Sequence, residues 1–260
     1  MRKVLTCLFA VTAVSAYAAN PDSNSNNSYS AFQEYDNEYN AGFGVTSGNL
    51  TNGSSGAVNN TQFISLEIEH LFNMGVWFDA TASLLTYYSQ AADPATPTLS
   101  QTTGSQPNFG GLNINVGYAF PLIKDTLMIT PYGTIGRNTN ISSYTLANQP
   151  TYVNLTSDYF WTVGAGARLE YRINSVFDFY LDQNALYNAS QAPTNGLAPN
   201  DNYQYTTTLG AKFNLYRNFQ LGAKAFYTGN YFTQSLTSGS GTALVPQSAV
   251  GGLVSVGLTY

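Results

Sequence analysis

Only 9% of the 260 residues are charged, and the formal net charge is −5, whereas ordinary soluble domains carry about 25% charged residues. No segment beyond the N-terminus is apolar for the roughly 18 residues that a membrane helix needs, and the acidic balance argues against nucleic acid as a partner. Two classes remain, a polar low-complexity protein or a membrane β-barrel, and periodicity separates them.

Residues 1–18 read as a secretory signal peptide. Arg2 and Lys3 open it, Val4 to Val14 form an apolar run, and Ala16-Tyr17-Ala18 supplies the small-x-small cleavage site. Cleavage is predicted before Ala19. The single cysteine, Cys7, leaves with that segment, so the mature chain is expected to hold no disulfide. Losing Arg2 and Lys3 leaves seven basic residues against fourteen acidic ones, a charge of −7. Residues 19–38, rich in Asn and Ser, are expected to be a flexible periplasmic N-terminal segment.

From Tyr39 onward, period-2 alternation recurs, as strands with one apolar face require. Tyr39, Ala41, Phe43 and Val45 share the first such face. Ile64, Leu66 and Ile68 then oppose Ser65, Glu67 and Glu69, and Val76, Phe78, Ala80 and Ala82 oppose Asp79, Thr81 and Ser83. Leu112, Ile114, Val116 and Tyr118 align next. Over 126–137 the face is ambiguous, because Leu127, Ile129 and Ile135 compete with Met128 and Tyr132. The clearest case places Tyr159, Trp161, Val163, Leu169 and Tyr171 against Arg168, Glu170 and Arg172. Three further strands are led by Phe177, Tyr203 and Phe219, and Val250 to Tyr260 closes the set of ten.

The connections alternate in length. Residues 73–75, 121–125, 174–176 and 216–218 are short, whereas 48–60, 89–108, 138–157, 188–202 and 229–248 are long and rich in Ser, Thr, Asn, Gln, Gly and Pro. Such alternation predicts an all-β, up-and-down antiparallel transmembrane barrel of about ten strands over residues 39–260, with the short turns on the periplasmic side. A soluble lipocalin-like barrel would need a charged exterior. This composition lacks one.

The last strand, Val250 to Tyr260, must pair with the first, because an open sheet edge cannot exist in lipid. Here the sequence resembles Gram-negative outer-membrane β-barrel proteins of the small monomeric type. Their terminal strand ends on an aromatic residue read by the barrel-assembly machinery. Val256, Leu258 and Tyr260 match that pattern, although Phe is the commoner last residue. The resemblance implies the cell outer membrane, contact with its lipid, assembly by that machinery and a monomeric state.

Candidates for chemistry are few. The sole histidine, His70, lies on the apolar face three residues before a short turn, where an interfacial role suits an amphipathic ring. Without a second histidine there is no evident base for a nucleophile, and no cofactor or metal motif stands out. The chain is therefore read as a non-enzyme. The notable charges sit on the polar, inward faces: Glu67, Glu69, Asp79, Arg168, Glu170, Arg172, Asp178, Asp182, Lys212 and Lys224. A three-residue turn at 174–176 sets Arg172 opposite Asp178 and Arg168 opposite Asp182, while the turn at 73–75 sets Glu69 beside Asp79. Those two carboxylates need compensation from elsewhere or solvation in a wet lumen. Bulky inward groups, Trp77, Tyr87, Phe160, Tyr180 and Phe226, narrow the bore. The expectation is a surface-exposed, structural or binding role through five polar loops, whose extracellular ligand is unidentified. The alternative is a narrow porin-like channel for small solutes.

Overall fold

A computed structural model describes residues 28–52, 55–91, 102–104, 108–146, 149–188, 197–201, 203–216, 218–229, 233–236, 241–243 and 245–260. Among these, ten long antiparallel strands form the wall: β1 (Glu38–Asn52), β2 (Ser55–Leu71), β3 (Val76–Ala91), β4 (Asn108–Tyr118) and β5 (Leu127–Leu146). They are followed by β6 (Gln149–Arg172), β7 (Phe177–Asn188), β8 (Tyr203–Tyr216), β9 (Phe219–Gly229) and β10 (Val245–Thr259). Each pairs with its neighbour in the chain, and β10 returns to β1 with Tyr39 opposite Leu258 and Phe43 opposite Val254. The ring is closed. No wall strand is left with an open edge inside the membrane.

The apolar faces point outward. Val254 and Leu258 are 65% and 59% exposed, whereas Glu69 and Asp178 on the opposite faces are at 0%. Aromatic residues mark two levels on the outside. Tyr118, Phe120, Tyr171, Tyr216 and Phe219 lie near the short turns, and Trp161, Tyr187, Tyr205 and Tyr227 lie toward the long loops. On β6, Trp161 and Tyr171 are separated by about ten residues, roughly 33 Å along the strand and about 25 Å vertically at a tilt near 40°. That is the height of the apolar band that two aromatic girdles frame in such barrels.

The strand over 126–137 resolves cleanly: Met128, Thr130, Tyr132 and Thr134 are buried inside, and Ile135 is exposed outside. Pro131, without an N–H, lies opposite the lapse between β4 and the short continuation Phe120–Ile123. There Ala119 turns its N–H to the Gly75 carbonyl.

The long loops differ from expectation in holding strand. Most of 48–60 and 138–157 is strand: Asn52 pairs with Ser55, and Leu146 with Gln149. These extensions lie at the long-loop ends of their strands. Sequence there shows no apolar alternation, so it reads as loop. Residues 102–104 pair with the end of β3, 197–201 with 233–236, and 241–243 with the end of β5.

A bulge corrects one side chain. Phe63 pairs with Leu85 but Gln62 pairs with Tyr87, so Thr86 is the extra residue and the parity of β3 changes. Tyr87 therefore shares the outward face of Gln62 rather than entering the bore. The side chain of Phe160, also read as inward, lies outside what is described.

The N-terminal segment departs further from the flexible lead-in expected over 19–38. Residues 1–27 lie outside the described residues, but Ser30–Asp36 forms a helix, α1, inserted into the short-turn end of the bore. Ala31, Phe32, Tyr35 and Asp36 are buried, one face of a helix, while Glu34 stays accessible. Seven residues are too few for a helix to persist alone, so docking holds this one. Phe32 enters a cluster with Leu71, Trp77, Ala119, Met128 and Tyr132. Gln33 donates to the Leu71 carbonyl at 2.8 Å, and the Tyr35 hydroxyl donates to the Asn174 carbonyl at 2.6 Å. Met128 and Tyr132 face inward because this cluster takes them up.

Candidate functional site

The register places the charged residues. Arg168 lies opposite Asp182 and Arg172 opposite Asp178 across β6 and β7, and Glu69 lies opposite Asp79 across β2 and β3. The side chains, however, reach across the bore rather than along the wall. Arg168 Nη1 donates to Glu69, while its Nε stands 3.5 Å from Asp182. Trp77 Nε1 donates to the same Glu69 carboxylate at 2.7 Å. Lys212 Nζ lies 2.9 Å from Glu69, 2.9 Å from Asp36 and 3.2 Å from Glu38. The crowding of Glu69 and Asp79 is thus met by basic side chains from β6 and β8, and Asp79 accepts from Asn115 at 2.6 Å.

Arg172 turns from Asp178 to Glu34 of α1, at 3.1 Å, and its guanidinium lies 5.9 Å from the Tyr35 ring. Lys224 grips both oxygens of Glu67 at 2.6 and 2.5 Å. Glu170 and Asp178 are buried beside one another, carboxyl against carboxyl. Tyr180 completes the floor. Its ring lies 4.4 Å from the Arg168 guanidinium and 5.8 and 5.9 Å from the ammonium groups of Lys212 and Lys224. Room for that ring comes from Gly210, where a Cβ would stand 2.1 Å from it. All ten charged residues picked from the sequence face the bore. Asp36 and Glu38 were missed, because both fall in the segment read as flexible. The signals available were the parity of Glu38 with Asn40 and the spacing of Phe32 and Tyr35. Burial pushes the Asp36 carboxyl up to about 6, with the Lys212 ammonium opposing the shift. Asp36 belongs to α1, not to a membrane-spanning strand.

Above this floor, on the long-loop side, the bore opens into a cavity of about 390 Å³. Thr46, Thr61, Ser83, Asn113, Thr206 and Thr228 are among its wall residues. Small neutral side chains leave there the space that long ones fill below.

His70 lies outside the bore. Its Nδ1 is 3.0 Å from the Tyr260 hydroxyl, and its ring meets Phe72 edge-on at 4.1 Å. Tyr260 stacks on Tyr39 at 4.8 Å and ties its N–H to the Asn37 carbonyl, while Val256 and Leu258 face outward. His70 thus braces the seam between β10 and β1. Among the described residues, no group of three or more His, Cys, Asp and Glu is arranged to hold a metal.

A closed ring, an outward aliphatic band between two aromatic levels and a buried charged cluster inside the bore fit one environment. The chain is a transmembrane β-barrel. No family model and no curated protein sequence matches it. Among solved structures it is similar to the translocator domain of the autotransporter NalP from Neisseria meningitidis (TM-score 0.47, 10% identity, 86% of this chain and 88% of that one). It is also similar to an outer-membrane channel from Pseudomonas putida F1 (TM-score 0.47, 9% identity, 85% and 95% of the two chains). The outer-membrane protease OmpT from Escherichia coli is a third (TM-score 0.44, 10% identity, 86% and 97%).

Proposed function

We propose that this barrel is a sealed, non-enzymatic surface protein that binds or shields through its outer end, rather than a passive channel. The observation that carries this reading is the floor across the bore. Lys212 joins α1 to β1 and β2 through Asp36, Glu38 and Glu69, and Arg168 reaches Glu69 from the opposite wall. A solute crossing the barrel would have to displace Phe32, Tyr35 and Trp77, all fully buried, and break those ion pairs. Barrels of about eight strands fill their interior with side chains alone, and ten strands leave a wider bore. In this chain the helix takes up the difference at one end. Above the floor the bore widens into the cavity of about 390 Å³.

The non-enzymatic part of the reading rests on where the candidate groups lie. His70 faces away from the bore, and the Tyr260 hydroxyl beside it belongs to the β10–β1 seam rather than to the cavity. Planar-bilayer recording tests the whole proposal. Mature protein should give no stable openings, and a variant lacking residues 19–36 should give them. Steady openings in the intact protein would reverse the reading in favour of a channel.

A further inference from the structure

We infer that Arg137, beside Trp161 on the lipid-facing wall, holds the phosphate of an anionic lipid in the leaflet on the long-loop side. The inference concerns the outside of the barrel and does not depend on what fills the bore. Among the described residues, Arg137 is the one charged side chain at an outward position of the wall strands. It is exposed, and its ladder partners are Leu112 on β4 and Trp161 on β6, the latter exposed at the outer aromatic level. A cation among lipid tails is costly, and the cost falls where a long side chain reaches the interface. Trp161 marks that depth, because indole rings settle at the level of the headgroups.

The surroundings select the ligand. A guanidinium offers five donors in a planar fork that matches two phosphate oxygens, and phosphate is the anion that lipid supplies at headgroup depth. Directly opposite side chains stand about 4.5–5.5 Å apart at Cβ, so an indole face can back the guanidinium and leave its N–H edge for an anion. Toward the middle of the membrane, the same face offers a seat for the acyl chains. Ile135 and Val163 come first. Beyond them, Gly133, Ala165 and Ala185 share one rung across β5, β6 and β7, about 13 Å from Arg137 along the strand. Val116 and Tyr205, both exposed, stand at the two ends of that rung. The wall is therefore low over three strands between two higher borders. A Cβ added at Gly133 would meet only the Gly164 carbonyl oxygen, at 4.0 Å. Packing within the protein does not demand that glycine, and the space it leaves opens to lipid. Headgroup charge and chain seat thus lie in line on one face.

Trp161 is a built-in reporter, since Trp77 is buried inside the bore. The full mature barrel is placed in phosphatidylcholine vesicles that carry a minor fraction of brominated phosphatidylglycerol or, for comparison, brominated phosphatidylcholine. Bromine on the acyl chains quenches an indole only at close range. The expected result is stronger quenching by the anionic lipid at equal mole fraction, equivalent to a preference of about fivefold. Arg137→Gln should abolish that preference, and Arg137→Lys should keep part of it, because the charge stays while the two-pronged contact is lost. Gly133→Leu fills the seat and should lower the preference with the charge in place. Heat-modifiable gel mobility shows whether each variant is folded, and Gly133→Leu carries the test if Arg137→Gln fails to assemble. Equal quenching by the two lipids, or an unchanged preference in folded Arg137→Gln or Gly133→Leu, would overturn the inference. Inorganic phosphate added to the vesicles should leave the quenching in place. Its reversal by free phosphate would mark a simple ion site and overturn the lipid assignment.

Discussion

The short-turn half and the long-loop half of this barrel share one wall and differ almost wholly in what fills them. Toward the short turns, long charged and aromatic side chains meet across the bore and lock α1 in place through Lys212, Glu69 and Phe32. Toward the long loops, Thr, Ser and Asn line the wall and leave a cavity of about 390 Å³. Backbone pairing runs through both halves of the wall, interrupted at a few bulges. The ladder and the lipid-facing band form the wall, while the inward side chains set what fills the bore. Each variant below presses on one side of that division.

The largest effect should come from Lys212→Met. Losing the ammonium leaves Asp36, Glu38 and Glu69 buried together with one cation fewer. Breaking one partner of a buried charge cluster costs about 3–5 kcal/mol. Urea unfolding in lipid vesicles should show that loss, and an unchanged midpoint would mean the floor contributes little. Phe32→Ala should rank next, with a comparable cost of about 3–5 kcal/mol for an emptied aromatic site, but confined to docking of α1. Hydrogen exchange should then rise in 28–37 while the barrel keeps its heat-modifiable mobility. A parallel collapse of the wall would show that the halves are not separable.

Tyr260→Asp probes the seam. It removes the stacking on Tyr39 and the contact with His70 and puts a charge near the lipid interface. Asp on the lipid face costs less than the about 2–4 kcal/mol of a central Arg, so the expected loss is about 1–2 kcal/mol, together with a lower assembled yield. Normal yield would count against a role for the last residue in closure. In the outer half, Thr206→Val breaks the 3.1 Å contact with Thr228 and should shift stability by no more than about 1 kcal/mol.

How much of this was legible beforehand follows the same division. Alternation exposes a residue's face only where one side meets lipid, so Ile64, Val116, Leu169 and Val254 declared themselves. The polar extensions of β5 and β6 did not, because their sequence carries no sustained apolar alternation. Register could be counted from short turns, which is why Arg168 opposite Asp182 and Glu69 opposite Asp79 were foreseeable. Which charges bond across the bore was not, since Arg168 prefers a carboxylate on β2 to a close bond with its ladder partner. The plug was hidden for another reason. A seven-residue helix carries too little periodicity to stand out, and α1 exists through tertiary contacts with Trp77, Met128 and Lys212. Tyr87 was misplaced because one bulge at Thr86 reverses parity, and bulges leave little trace in composition.

The smallest effect concerns pH, and it tests whether α1 is tuned separately from the wall. Burial holds the Asp36 carboxyl up at about 6 in the docked helix, against about 3.9 in an unfolded chain. A folded value raised above the unfolded one means that docking binds a proton more tightly than undocking does. The contribution is therefore fully present below about pH 4 and is lost as pH rises through about 6. The Lys212 ammonium opposes the shift and keeps the loss modest. Asp36→Asn keeps the shape and removes the titration. Trp77 is buried against the plug and Trp161 is exposed on the outer wall, so Trp77 fluorescence reports docking with little interference from the other. The expected outcome is a wild-type signal that moves toward undocking between pH 4 and pH 6, relative to an Asp36→Asn signal that stays flatter. Identical profiles would place the pH response of the floor elsewhere than in α1.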